Sequence, residues 1–168
     1  MTDREFFRRD VLETAPALVG CYLVRTAPDG SEKRFMITET EAYAGESDTA
    51  CHAHRGRTKR SEMLYHDGGT IFVYLCYGMH WMLNIVTGPA GSPQGALIRA
   101  CRGVNGPGRV TKALGIDGSF NGGDILACRE LRIEAGVKVD ITFGKRIGIN
   151  YASQEDQDRL WRFTAQER

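Results

Sequence analysis

Two glutamates in the run 34–43 (RFMITETEAY) have the spacing to do chemistry. Read as a strand, this run sends alternate side chains to opposite faces. Phe35, Ile37, Glu39, Glu41 and Tyr43 then share one side. Burying a carboxylate among apolar and aromatic groups costs several kcal/mol unless it is paired or hydrogen-bonded, so Glu39 and Glu41 either meet water on an edge strand or serve a site. Tyr43 next to Glu41 favours the site: an aromatic plate beside a carboxylate suits a flat ligand and a general base.

Three further groups follow. The first is Asp48-Thr49-Ala50-Cys51-His52, then His54-Arg55-Gly56-Arg57-Thr58. Its Cys-His-x-His spacing matches no common zinc pattern, and no complementary pair comes later, so no metal is expected. The second is Tyr74-Leu75-Cys76-Tyr77-Gly78-Met79-His80, with Asn84 beyond it. Tyr74 and Tyr77 are an odd number of positions apart, so a regular strand points them to opposite faces. One can line a pocket while the other projects, or both can belong to an aromatic-rich core strand. The third is Gly106-Pro107-Gly108-Arg109-Val110-Thr111-Lys112. Glycines ahead of a helix leave amides free for a phosphate, and two cations follow, although Gly-Pro-Gly is also a plain turn.

The elements that must position these groups read as follows. Residues 8–19 form a helix capped by Asp10 and kinked or delayed by Pro16. Strands are expected at 20–25, 34–43, 70–77, 79–87, 95–102, 131–134 and 137–149. Gly78 separates a hairpin or bends a strand. Helices are expected at about 108–115 and at 121–128. Residues 44–68 read as a structured loop with a short helix near 61–65. Strands and helices that do not alternate regularly indicate an α+β fold, a mixed α/β domain.

The chain has 168 residues, 42% hydrophobic and 26% charged, which suits one globular domain spanning 1–168. No apolar run reaches the roughly 18 residues of a membrane span, and the N-terminus lacks an apolar signal core. The five cysteines are scattered and odd in number, which fits a reduced cytoplasmic compartment. The net charge is only +1, but the basic residues are unevenly distributed. Residues 49–116 carry eight basic side chains (Arg55, Arg57, Lys59, Arg60, Arg99, Arg102, Arg109 and Lys112) against two acids, Glu62 and Asp67. This suits a surface facing a polyanion, or a solvated face balanced by acids folded over it.

Taken in order, ETEAY at 39–43, D-x-x-x-H at 48–52, HRGRT at 54–58, VYLCYGMHWMLN at 73–84, ALIRA at 96–100, GPGRVTKALGI at 106–116 and RIGI at 146–149 resemble the alkyladenine (3-methyladenine) DNA glycosylases over nearly the whole chain. The resemblance implies a curved, mainly antiparallel sheet with a protruding β-hairpin. It also implies a monofunctional enzyme that flips alkylated or deaminated purines out of double-stranded DNA and hydrolyses the glycosidic bond. Those purines are the 3-methyladenine, 7-methylguanine, hypoxanthine and ethenoadenine class. Glu41 would activate the water, with Arg99 holding it. Tyr43, His52 and Tyr74 would sandwich the base. Met79, His80, Asn84 and the backbone at Ile149 would complete the pocket, Asn84 obstructing the amine of normal guanine. Tyr77 would fill the gap in the DNA stack, and Arg57, Arg109 and Lys112 would contact the DNA. No cofactor or metal, a monomer and a cytoplasmic location, nucleoid-associated in a bacterium, are also implied. Cys51 departs from the family's usual serine, Ser61 from asparagine and Lys145 from proline, and the chain ends short of the family's usual C-terminal strand. Two other readings compete: a silent binder of damaged or single-stranded nucleic acid, using the same aromatic plates and basic stretch, and a metal-dependent hydrolase using His52 and His54.

Overall fold

The computed structural model describes residues 3–166. Among them the chain forms α1 (Arg4–Phe7), α2 (Val11–Leu18), β1 (Tyr22–Thr26), β2 (Glu32–Tyr43), β3 (Ile71–Cys76), β4 (His80–Thr87), β5 (Gln94–Cys101), β6 (Val104–Asn105), α3 (Pro107–Leu114), β7 (Leu131–Glu134), β8 (Ile141–Gly144), α4 (Gln154–Asp158) and β9 (Arg162–Ala165). All nine strands join one antiparallel sheet ordered β3-β4-β5-β2-β1-β7, with β6 on β5 and β9 linking β2 to β8. The sheet curls into a half-barrel, and the fold is α+β as expected. No helix among the described residues is long and apolar enough to cross a membrane.

The core lies where α2 and α3 pack on the sheet. Val11, Ala15 and Leu18 of α2 are fully buried with Leu23, Ile37, Ala42, Ile85 and Ile98. Each large apolar side chain buried this way stabilises the fold by about 1.5–3 kcal/mol. Asp10 caps α2 through Leu12 N–H, as the sequence indicates. The helix starts at Val11 rather than residue 8, because Asp10 is its N-cap, and α1 is a separate turn before it. The Thr40 hydroxyl donates to Ala15 O at 2.7 Å and pins α2 to β2.

Several expectations are corrected. Residues 121–128 are turns rather than a helix: Gly122 has φ +85°, and the Asp124 carboxylate accepts from Leu126 N–H in place of a helical bond. The strand expected over 137–149 is confined to β8, because the backbone past Gly144 leaves the sheet and Gly148 takes φ +76°. Residues Arg162–Ala165, for which the sequence reading has no strand, form β9, paired with both β2 and β8. Helix α4 had no counterpart in the reading of the sequence.

The strict alternation expected along β2 also breaks. Its register against β5 shifts on both sides of Glu39, leaving Thr38 on β2 and Arg99 on β5 outside the regular pairing. Before this double bulge the odd residues Phe35 and Ile37 face the core. After it the even residues Thr40 and Ala42 do. Phe35 and Ile37 therefore do not share a face with Glu39, Glu41 and Tyr43. Bulges re-aim side chains and are common beside active sites.

Candidate active site

Glu41 is fully buried. Its Oε2 accepts from the Tyr43 hydroxyl at 2.8 Å, and its Oε1 accepts from the Ile147 backbone N–H at 2.8 Å. Arg99, carried to this face by the bulge on β5, brings Nη1 within 3.5 Å of Glu41 Oε1 and Nε within 3.5 Å of Glu39 Oε1. The Nε contact is an ion pair in distance only: this buried atom makes no hydrogen bond among the described residues. Burial pushes the Glu41 carboxyl above its usual range, and Glu39 adds to this. Arg99, Ile147 N–H and the Tyr43 hydroxyl pull in the other direction without cancelling it. Such a carboxylate is a stronger base than a solvated one.

Glu41 is not among the residues that line the neighbouring cleft. It sits behind Tyr43, whose ring is one wall of a cleft of about 350 Å³, counting the space open to solvent. His52, Phe72 and Tyr74 add aromatic lining, with Asn84, Leu64, Gly95 and the largely exposed Tyr151. His52 and Tyr74 meet edge to face at 4.4 Å between ring centroids and 70° between planes, so they act as one wall rather than two parallel plates. Burial, helped by Arg60, lowers the His52 pKa to about 4, so its imidazole is neutral at pH 7. Burial also raises Tyr43 and Tyr74 above the usual phenol range and Cys51 to about 11, so all three stay protonated. Asn84 Nδ2 donates to the carbonyls of Phe72 and Met82, each at 3.3 Å, which fixes its amide on the wall. Gly95 keeps the floor open, since a Cβ there would lie 3.0 Å from Leu64 Cδ2.

A buried ion pair supports these walls. Arg146 Nη1 and Nη2 bond Asp48 at 2.6 and 2.9 Å, with both side chains fully buried. The same guanidinium donates to Ala42 O, between Glu41 and Tyr43, and lies 4.9 Å from the Tyr43 ring centroid. Asp48 in turn accepts from Ala50 N–H, ahead of Cys51 and His52. Arg146 thus ties β2 to the 48–52 loop and to the segment that presents Ile147 N–H. Ile149 is buried against Ala50, Ala152 and Tyr43.

The remaining expected residues lie outside the cleft. Tyr77 is 89% exposed at the tip of the β3–β4 hairpin and has φ +51°, a left-handed conformation unusual for its type. With Gly78 at φ +65° and Met79 N–H donating to Cys76 O, it forms a type I′ turn. Met79 and His80 do not line the cleft. Met79 is 71% exposed beside the tip, and His80 packs where a Cβ on Gly108 would stand. Met79 stands in the turn and His80 opens β4, both on the exposed surface of the hairpin. Arg57 is held by Glu62 through two hydrogen bonds. Arg109 and Lys112 are exposed on α3, and neither joins an ion pair within 4 Å among the described residues. His52 and His54 diverge: His54 Nδ1 lies 2.9 Å from Glu46 O, away from the cleft.

Tyr151, Phe72, Leu64 and the Arg146–Asp48 pair were missed as site residues when read from sequence. Asp48 and Arg146 stand in quoted motifs, but a pairing across nearly a hundred residues has no local signal. Tyr151 carries only the weak signal of an aromatic directly after the RIGI motif.

A family model described as methylpurine-DNA glycosylase (MPG) matches residues 5–104 and 102–168. A relative from Borreliella afzelii is 43% identical over 175 residues, covering 96% of this chain and 94% of that relative. One from Natranaerobius thermophilus is 37% identical over 186 residues, covering 96% and 93%. One from Methanocella arvoryzae is 40% identical over 181 residues, covering 95% and 90%. Each of the three carries the provisional name 3-methyladenine DNA glycosylase.

Proposed function

The chain belongs to the methylpurine-DNA glycosylase family and is a DNA N-glycosylase, and from that premise we propose that it releases 3-methyladenine and related alkylated or deaminated purines by a water that Glu41 activates. The reading is carried by one observation: a fully buried carboxylate bonded to the hydroxyl of a tyrosine whose ring walls an aromatic cleft.

The damaged nucleotide leaves the duplex stack and its base enters the cleft between Tyr43 and the His52–Tyr74 wall. Neutral His52 does not repel a cationic alkylated purine, and the tyrosine faces attract it. Glu41 takes a proton from water, and the water oxygen bonds to the anomeric carbon. The bond from that carbon to the purine nitrogen breaks, and its electron pair leaves with the base. A cationic base departs neutral, a neutral one such as hypoxanthine departs as its anion and takes a proton from water, and an abasic site remains. The carboxylate also stabilises the positive charge that develops on the sugar. Arg99 orients the water beside Glu41, and no lysine lies in ETEAY at 39–43 or VYLCYGMH at 73–80, so the strand is not cut through a Schiff base.

Tyr77 fills the gap in the stack. Asn84 excludes the exocyclic amine of guanine, and the backbone at Ile149 meets the base edge. Arg109 and Lys112 grip phosphates, and Arg57 joins them by exchanging its Glu62 partner. The enzyme acts as a monomer. The test is base release from a duplex carrying methylated purine, hypoxanthine or ethenoadenine. The intact chain releases base; Glu41→Gln binds the duplex and releases none. Unchanged turnover in that variant removes Glu41 from its role.

A further inference from the structure

Tyr151 is a large aromatic side chain, 69% exposed, yet it is one of the residues that line the cleft. Both of its ends are fixed. Its backbone follows Ile149, which is buried against Tyr43 and Ala50, and its hydroxyl donates to Ala50 O at 2.7 Å. The side chain therefore bridges from the segment after Ile149 to the 48–52 loop, and the hydroxyl bond restrains its ring. An aromatic face left open to water at the mouth of an aromatic cleft is the surface that an entering base would cover. A plate already fixed loses little conformational freedom when that happens.

We propose that Tyr151 is a substrate-binding residue, a plate at the mouth of the cleft that contacts the flipped purine and holds it inside. This rests on the functional reading above. Its hydroxyl is committed to Ala50 as a donor, so it offers the base a ring face rather than a hydrogen bond. Its contribution falls on retention of the base, independent of the proton transfer at Glu41.

The experiment measures 3-methyladenine release from methylated duplex DNA, with undamaged duplex as competitor. Tyr151→Ala lowers kcat/KM about tenfold, as loss of one base-stacking ring does, while the inhibition constant of undamaged duplex stays unchanged. Tyr151→Phe keeps the ring and loses no more than about threefold, the effect of a single tether. An alanine variant with wild-type kcat/KM overturns the proposal. So does an equal weakening toward undamaged duplex, which would move Tyr151 to the DNA surface. Absence of release by the unaltered chain would overturn the functional reading itself, and this inference with it. Release abolished by Glu41→Gln but untouched by Tyr151→Ala overturns this inference alone.

Discussion

The Tyr43 hydroxyl donates to Glu41 Oε2 at 2.8 Å, so the residue that walls the cleft also holds the carboxylate behind it. The bond favours the ionised carboxylate and works against the upward push of burial. Tyr43→Phe keeps the plate and removes that bond. The Glu41 pKa then rises further. Since hydrolysis requires the carboxylate, the acid limb of kcat/KM against pH moves to higher pH, while the rate at alkaline pH falls much less. A profile unmoved on its acid side would break the link between the two residues.

Glu41→Gln separates activity from stability. The folded carboxyl titrates above its ordinary value of 4.5. Such a group favours the fold while protonated and loses that contribution as pH rises through the folded pKa. At pH 7 the wild type bears the cost of a buried charge, and the glutamine variant does not. Glutamine can also accept from Ile147 N–H and donate to the Tyr43 oxygen. The variant should be at least as stable as wild type in urea at pH 7, and its advantage should shrink toward pH 4. A lower midpoint at pH 7 would contradict this.

Asp48→Ala leaves the Arg146 guanidinium buried without its counter-charge. Stability should fall by about 3–5 kcal/mol, the usual result of breaking a buried pair from one side. The double variant Asp48→Ala, Arg146→Met should recover part of the loss. Denaturant midpoints with unchanged slopes would measure both. A loss under 1 kcal/mol would show that water reaches the pair.

Tyr77→Gly relieves a left-handed backbone that L-residues occupy at a cost of roughly 1–2 kcal/mol. Stability should rise by about 1 kcal/mol, net of the greater freedom of glycine in the unfolded chain. Base release from duplex DNA should fall at the same time, because the exposed ring is lost from the hairpin tip. A variant both stabler and fully active would leave the strain without a purpose.

The sequence was most informative where chemistry and local pattern coincide. The period-two run ending in ETEAY correctly placed Glu41 and Tyr43 on one face. The aromatic spacing around Tyr74 and Tyr77 left a core strand and a cleft wall both open, and Tyr77 is exposed because it stands in the turn beyond β3 rather than through strand alternation. Thr38 and Arg99 gave no warning, because a bulge is a relation between two strands and neither strand shows it alone. The four residues of β9 were passed over because RFTA is short and half polar; its pairing with β2 supplies what its own pattern lacks. Ile147 N–H, a main-chain donor 106 positions from Glu41, has no side chain by which a sequence could announce it.

The double bulge around Thr38 and Arg99 gives the sheet a reading frame. One residue inserted into β2 just after Glu39 would change no catalytic side chain, yet it would exchange inside for outside over the rest of the strand. Glu41 and Tyr43 would turn toward α2, and Thr40 and Ala42 would come to face the cleft. Substitutions across this stretch alter single groups, whereas a change in residue count inverts them all, so a shift in length here is the one alteration that no compensating side chain can repair.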